Sequence, residues 1–217
     1  MKNLFITLLI TTTLVGTSLI FPNQYSSTNT FIMDEKTDRY NIAYNDIFNN
    51  MMKNMKNATT TGNVNLDFLT EMIPHHKGGI DMSKAIIQYG SNPEVKIIAK
   101  KIITSQEAEI PLMQELKSKF KNEPSSNKEV SENYITKYKE INDKMMKEMQ
   151  SVKVTNNADT AFLQQMIYHH KGAINMAKNI LTYTKDSEIE KFSKNIISTQ
   201  SKDISEMESL LKELQNN

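Results

Sequence analysis

The 217-residue chain contains no cysteine and no tryptophan, and only 6 glycines and 5 prolines. Without cysteine there can be no disulfide, no thiolate nucleophile and no Cys-ligated zinc or iron–sulfur site. The scarcity of glycine and proline disfavours a turn-rich all-β fold. The chain also lacks an excess of charge. The first thirty residues carry a single charge, Lys2, and beyond them 25 basic residues face 25 acidic ones. A nucleic-acid partner normally requires a basic surplus to displace counterions, so none is expected. No Ser nucleophile elbow, phosphate-binding loop or His-Glu-x-x-His motif is present. What the chain does have is 14 Met and four His, the latter all in two His-His pairs.

Residues 1–30 read as a targeting segment. Lys2 is followed by an apolar run from Leu4 to Phe21, diluted by threonine, as in a secretory signal peptide. Gly16-Thr17-Ser18 offers small residues for cleavage. A retained N-terminal anchor is the alternative, since a run of about 18 residues is at the lower limit for spanning a bilayer. Both readings place the rest of the chain outside the cytoplasm, and membrane contact is expected only through this segment if it is uncleaved. Residues 31–37 read as a polar linker.

The remainder is a duplication. MIPHHKGGIDM (Met72–Met82) recurs 94 residues later as MIYHHKGAINM (Met166–Met176). Without a gap, the same offset relates Tyr44 to Tyr138, Met51-Met52 to Met145-Met146, and Met55 to Met149. It also relates Phe68-Leu69 to Phe162-Leu163, Gln106 to Gln200, Glu109 to Asp203, and Met113 to Met207. Every Met except Met1 and Met33 belongs to such a pair. Apolar residues recur at helical spacing throughout, and almost nothing reads as strand. Repeat 1 (38–121) and repeat 2 (131–217), joined by a polar linker (122–130), are each expected to form three helices. The first repeat's run over about 38–55, 65–89 and 94–120. The second's run over about 131–151, 160–184 and 187–214. Asn65 and Asp159 are the expected N-caps of the middle helices. Pro74 and Pro111 fall inside helices and should kink them. The fold class is all-α, an up-down bundle of two tandem three-helix repeats.

Polar residues on apolar faces point to function. In each repeat's third helix, a Gln and an acid interrupt the inward stripe: Gln106 and Glu109, then Gln200 and Asp203. A buried carboxylate needs a hydrogen bond, a cation or a metal, so Glu109 and Asp203 count among the candidate metal ligands. In the middle helices, Met72, His75/His76, Gly79 and Met82 share a face, as do Met166, His169/His170, Ala173 and Met176. Adjacent His side chains diverge by about 100°, so each pair must address two directions. Methionine stripes by themselves are usually core packing. The His-His pair, found twice and flanked by Met, favours metal binding. Thioether and imidazole together suit copper, above all Cu(I). A di-iron centre would need several carboxylates and Glu-x-x-His, whereas only one inward acid per repeat is expected here.

The two His-His segments, each followed by Gln-x-x-acid-Ile-x-x-Met (Gln106–Met113 and Gln200–Met207), resemble the domain of unknown function 305 family over roughly residues 40–215. That resemblance implies a ferritin-like helical bundle in an exported protein. Its best-understood relatives are CopM-type periplasmic copper-binding proteins that use Met and His ligands and support copper tolerance. The implied ligands are Met72, His75, His76, Met82 and Met113, with Met166, His169, His170, Met176 and Met207. Met51, Met52, Met55 and their counterparts could add further sites. Copper is thus the expected bound ion, as Cu(I) with Cu(II) or Ag(I) or another transition metal as alternatives, held for sequestration or transfer, with a copper exporter or chaperone as the partner this implies. The expected sites are shallow, one cluster per repeat, in a protein that is not an enzyme. A ferritin-like metal oxidase, or a structural envelope protein whose His pairs bond to Glu109 and Asp203, are the alternatives.

Overall fold

The apolar spacing of the sequence is realised as six α-helices in a computed structural model, which describes residues 35–58, 60–152 and 157–216. The expected signal segment therefore lies outside the described residues. The helices are α1 (Glu35–Lys56), α2 (Val64–Tyr89), α3 (Pro93–Phe120), α4 (Lys128–Ser151), α5 (Ala158–Tyr183) and α6 (Ser187–Asn216). No strand occurs among the described residues, and none of their helices is long and apolar enough to cross a membrane. Pro74 and Pro111 sit within α2 and α3, each assigned as one continuous helix. α1 and α4 each begin three residues before the expected start. For α4 the cause is Asn127, whose side chain accepts from Glu129 N.

The caps of the middle helices are Asn63 and Asn157, not Asn65 and Asp159. Asn63 Oδ1 accepts from the amides of Asn65 and Leu66 at 3.1 and 3.2 Å. Asn157 does the same for Asp159 and Thr160. The expected caps thus lie two residues too far in, where they are capped rather than capping. Asp159 has another role. Its Oδ2 accepts from Ser91 N and Asn92 N, at 2.9 and 3.0 Å, and so ties the start of α5 to the loop between α2 and α3. The inter-repeat linker is also fastened. Ser126 N donates to Gly62 O, Asn63 Nδ2 to Pro124 O, and Val64 N to Ser126 Oγ. Gly62 permits this turn by adopting a φ of 82°, which favours glycine.

The core is organised around α2 and α5, which pack on each other. α1 and α3 flank α2, α4 and α6 flank α5, and α3 also meets α6. The two repeats therefore form one body, joined through their middle helices. Tyr40, Tyr44, Phe48, Met51 and Met55 bury one face of α1. Tyr134, Tyr138, Met145 and Met149 bury the matching face of α4. Two crossed hydrogen bonds pin these helices to the opposite repeat. Tyr40 OH donates to Gln165 Oε1 on α5 at 2.7 Å. Tyr134 OH donates to Glu71 Oε2 on α2 at 2.8 Å. Tyr40 and Tyr134 are repeat counterparts, as are Glu71 and Gln165, so one interaction is built twice, once with an amide and once with a carboxyl.

Glu71 is only 2% exposed and, like the equally buried Asp67, is an inward acid of the first repeat that the sequence does not announce. Burial raises its carboxyl to about 8 and the Asp67 charge adds to the rise, while the Tyr134 bond opposes it. The folded chain therefore holds a proton on Glu71 that the unfolded chain releases near the ordinary value of 4.5. Its contribution to stability is complete below that value and is lost as pH rises through about 8. Glu71→Gln, which copies the second repeat, removes this dependence. The variant is expected to gain on the parent progressively across that window, reaching on the order of 5 kcal/mol at its upper end. Urea unfolding at stepped pH measures the difference; a gap that does not change with pH would refute it.

Candidate metal centre

All four imidazoles are fully buried, at 0% exposure, where α2 and α5 cross. This corrects the expectation of shallow sites. The cause is close helix approach at small residues. A side chain at Gly78 would collide with the Met51 sulfur of α1, and one at Gly172 with the Met145 sulfur of α4. A Cβ at Gly79 would lie 2.8 Å from His169 Cε1 and 2.5 Å from Gln106 Oε1. These missing side chains admit the neighbours that close over the histidines.

The helical divergence of adjacent residues sorts the imidazoles into an inner and an outer pair. The inner pair, His75 and His169, stacks across the repeats with ring centroids 3.8 Å apart and planes at 30°. His169 Nε2 donates to the His75 carbonyl at 3.0 Å. His75 Nε2 lies 3.3 Å from Met145 Sδ of the other repeat. Two charged rings could not stack at this distance inside a core. Burial, then the neighbouring imidazole His169, holds His75 well below its ordinary value, and burial followed by His170 does the same for His169. Both rings are therefore neutral at neutral pH and keep a lone pair.

The outer pair faces the third helix of its own repeat. His76 Nε2 lies 2.7 Å from Glu109 Oε2 on α3, and Glu109 Oε1 accepts from Asn195 Nδ2 on α6 at 3.3 Å. His170 Nε2 lies 3.6 Å from Asp203 Oδ2, beyond hydrogen-bond reach. Five imidazole nitrogens end buried without a partner: Nδ1 of all four rings and Nε2 of His170. The amides of Gln106 and Gln200 are likewise buried and unpartnered. Such orphaned polar atoms are costly inside a core, and the lone pair on each neutral inner ring is a ready ligand.

Met72, Met82, Met113, Met166, Met176 and Met207 are all buried in the shared apolar core, none more than 1% exposed. Among the described residues, Met145 is the methionine whose sulfur approaches an imidazole nitrogen. It belongs to the group expected only to add sites. The expectation of one cluster per repeat is also corrected, because the inner histidines meet each other and His75 meets a methionine of the second repeat. Among the described residues, no three His, Asp or Glu side chains gather as a metal-holding group.

The sequence profile of the domain of unknown function 305 matches residues 45–117 and 65–211, most of the helical body. The chain belongs to the DUF305 family. Its fold is similar to that of CopM in the Cu(I)-bound form, with 30% identity and a TM-score of 0.52, covering 69% of this chain and 96% of CopM. The Cu(II)-bound form of CopM gives 29% identity and the same TM-score, over 69% of this chain and 97% of CopM. A DUF305 fragment from Deinococcus radiodurans, 23% identical with a TM-score of 0.51, covers 69% of this chain and 96% of its own and shows the shared fold alone. Uncharacterized protein L153 of Acanthamoeba polyphaga mimivirus is 45% identical over 60 residues, 27% of this chain. That match spans 40% of the viral protein, less than half its length.

Within this DUF305 chain, the sequence reading missed the crossed Tyr40–Gln165 and Tyr134–Glu71 pairs that brace the histidine layer. The 94-residue offset relates Tyr40 to Tyr134 and Glu71 to Gln165, but it does not say that they meet across the repeats. Gly78→Ala and Gly172→Ala test the closure over the imidazoles. Each is expected to lower stability by about 1–3 kcal/mol through overpacking against a buried methionine. That outweighs the roughly 1 kcal/mol that alanine gains in helix propensity. Thermal melting decides; a rise in Tm for either variant would show that the methionine yields freely.

Proposed function

We propose that this chain is an extracytoplasmic copper-binding protein that sequesters or hands on Cu(I), with Cu(II) and Ag(I) as further ligands, and that it is not an enzyme. The observation that carries the reading is the set of buried, unpartnered imidazole nitrogens, enclosed in a methionine-lined core at the repeat interface. Soft thioethers beside borderline imidazoles suit Cu(I) better than zinc, calcium or iron. The likeness to CopM, solved with Cu(I), Cu(II) and Ag, supports the same choice. His75, His169 and Met145 form one ligand group and His76 and His170 supply two more. The buried methionines Met72, Met82 and Met113, with Met166, Met176 and Met207, provide sulfur within the same core. Export by the N-terminal segment places the protein where thiol ligands would oxidise and thioethers would not. A copper exporter or chaperone is the corresponding partner.

A second reading is favoured by one observation. The His76–Glu109 bond is short and buried, as a purely structural histidine would make. Anaerobic Cu(I) titration against a competing chromophoric chelator separates the two, using the full chain and a variant with all four His changed to Ala. The copper reading expects saturation at a defined stoichiometry, lost or weakened at least tenfold in the variant. A parent that never competes with the chelator, and whose melting temperature ignores copper, would leave the histidines structural.

A further inference from the structure

The two outer histidines are repeat counterparts, yet their surroundings differ by one methylene. His76 meets Glu109 at 2.7 Å. His170 falls short of Asp203, at 3.6 Å. The brace behind the acid differs as well. Asn195 of α6 donates to Glu109 Oε1, whereas its counterpart Lys101 is turned outward to Glu206. A carboxylate oxygen only accepts, so His76 Nε2 carries the hydrogen in that bond. The nitrogen left over is Nδ1, which is buried and unpartnered. His170 has neither nitrogen engaged, and both are buried. No hydrogen bond selects its tautomer.

We propose that Glu109 is a positioning residue, not a ligand. On this view it fixes His76 as a preset Nδ1 donor for a soft monovalent cation, while Asp203 leaves His170 unset, so that the two repeats bind unequally. This rests on the copper reading and adds to it the ligating atom and the order of filling. A carboxylate that holds the far nitrogen of a ligating imidazole fixes tautomer and orientation and raises ligand basicity. Glu109 is itself held in place by Asn195, so the ring is oriented before any cation arrives. The acids therefore leave the ligand set expected for them from sequence and become its supports, one effective and one too short.

The test is proton–nitrogen NMR of the full chain with isotopically labelled histidine, titrated with Ag(I), whose spin-one-half nucleus splits the nitrogen that binds it. Before silver, His76 should show its hydrogen on Nε2, and His170 a mixture of tautomers. The first equivalents should split His76 Nδ1 while Nε2 keeps its hydrogen, and His170 should respond later. Glu109→Asp should abolish the fixed tautomer and weaken the first site about 10- to 100-fold. Asp203→Glu should fix His170 and tighten the second site. Glu109→Gln, whose carbonyl still accepts from Nε2–H, should fall between parent and Glu109→Ala, a graded rescue that a merely structural contact would not give. Melting curves confirm that each variant is folded. Splitting at His76 Nε2, or silver uptake that spares His76, would overturn this proposal alone. No uptake at any histidine would overturn the copper reading and this proposal with it.

Discussion

Helices approach only as closely as the side chains between them allow, and α2 meets α5 where one of those side chains is missing. At Gly79 the space that a Cβ would fill is taken by the edge of the His169 ring and the Gln106 amide. That approach lets His169 stack on His75 and donate to its backbone carbonyl. The stack in turn fixes the register of one repeat against the other. The crossed tyrosine bonds, the Asp159 clasp on the α2–α3 loop and the Met145 contact with His75 all presuppose that register. A larger residue at Gly79 would displace a flexible glutamine first and the imidazole next, so the constraint acts directly on the functional layer.

Much of this was legible in sequence because the chain states its plan twice. Six helices, their approximate limits, the internal repeat and the opposite headings of adjacent histidines follow from periodicity and the 94-residue offset. The caps were misplaced because Asn63 and Asn65, like Asn157 and Asp159, are all good capping residues. Only backbone geometry shows which pair lies outside the helix. The cross-repeat contacts were not legible at all. Periodicity says which residues face inward, not which neighbour they meet, so the Met145–His75 contact and the stacked inner histidines had no signature. Glu71 was hidden for a different reason. A helical glutamate is ordinarily solvated, and only its counterpart Gln165 hints that this position holds a neutral group.

Duplication also explains why differences between the repeats carry information. Where both copies keep a residue type, as with the His pairs and six Met pairs, the shared architecture requires it or tolerates it in both places. Where they differ, each copy serves as a natural variant of the other in nearly the same environment. Gln165 shows that the Tyr134–Glu71 bond works with an uncharged partner, which agrees with a carboxyl that burial keeps protonated. Ala173 shows that the tight approach at Gly79 is needed on one side only. Asp203 shows what the loss of a methylene does to an imidazole that Glu109 would otherwise hold.

On the copper reading, burial of the histidines would separate how tightly a cation is held from how fast it arrives. The ligand atoms govern the first. The second depends on a local opening, because no imidazole touches solvent. The outer layers are not equivalent in this respect. Moving α1 or α4 away breaks a buried tyrosine hydrogen bond to the opposite repeat as well as apolar packing. Moving α6 away from α5 breaks apolar packing and exposed ion pairs such as Lys171–Glu208, which contribute little in water. Moving α3 from α2 must also break the His76–Glu109 bond. His170 thus lies behind the layer with the fewest strong contacts, and His76 behind one clamped by its own support. The acid that, on the proposed reading, would orient His76 for binding is also a contact that must break before α3 can lift from it, so the same side chain would govern affinity and exchange rate in the first repeat.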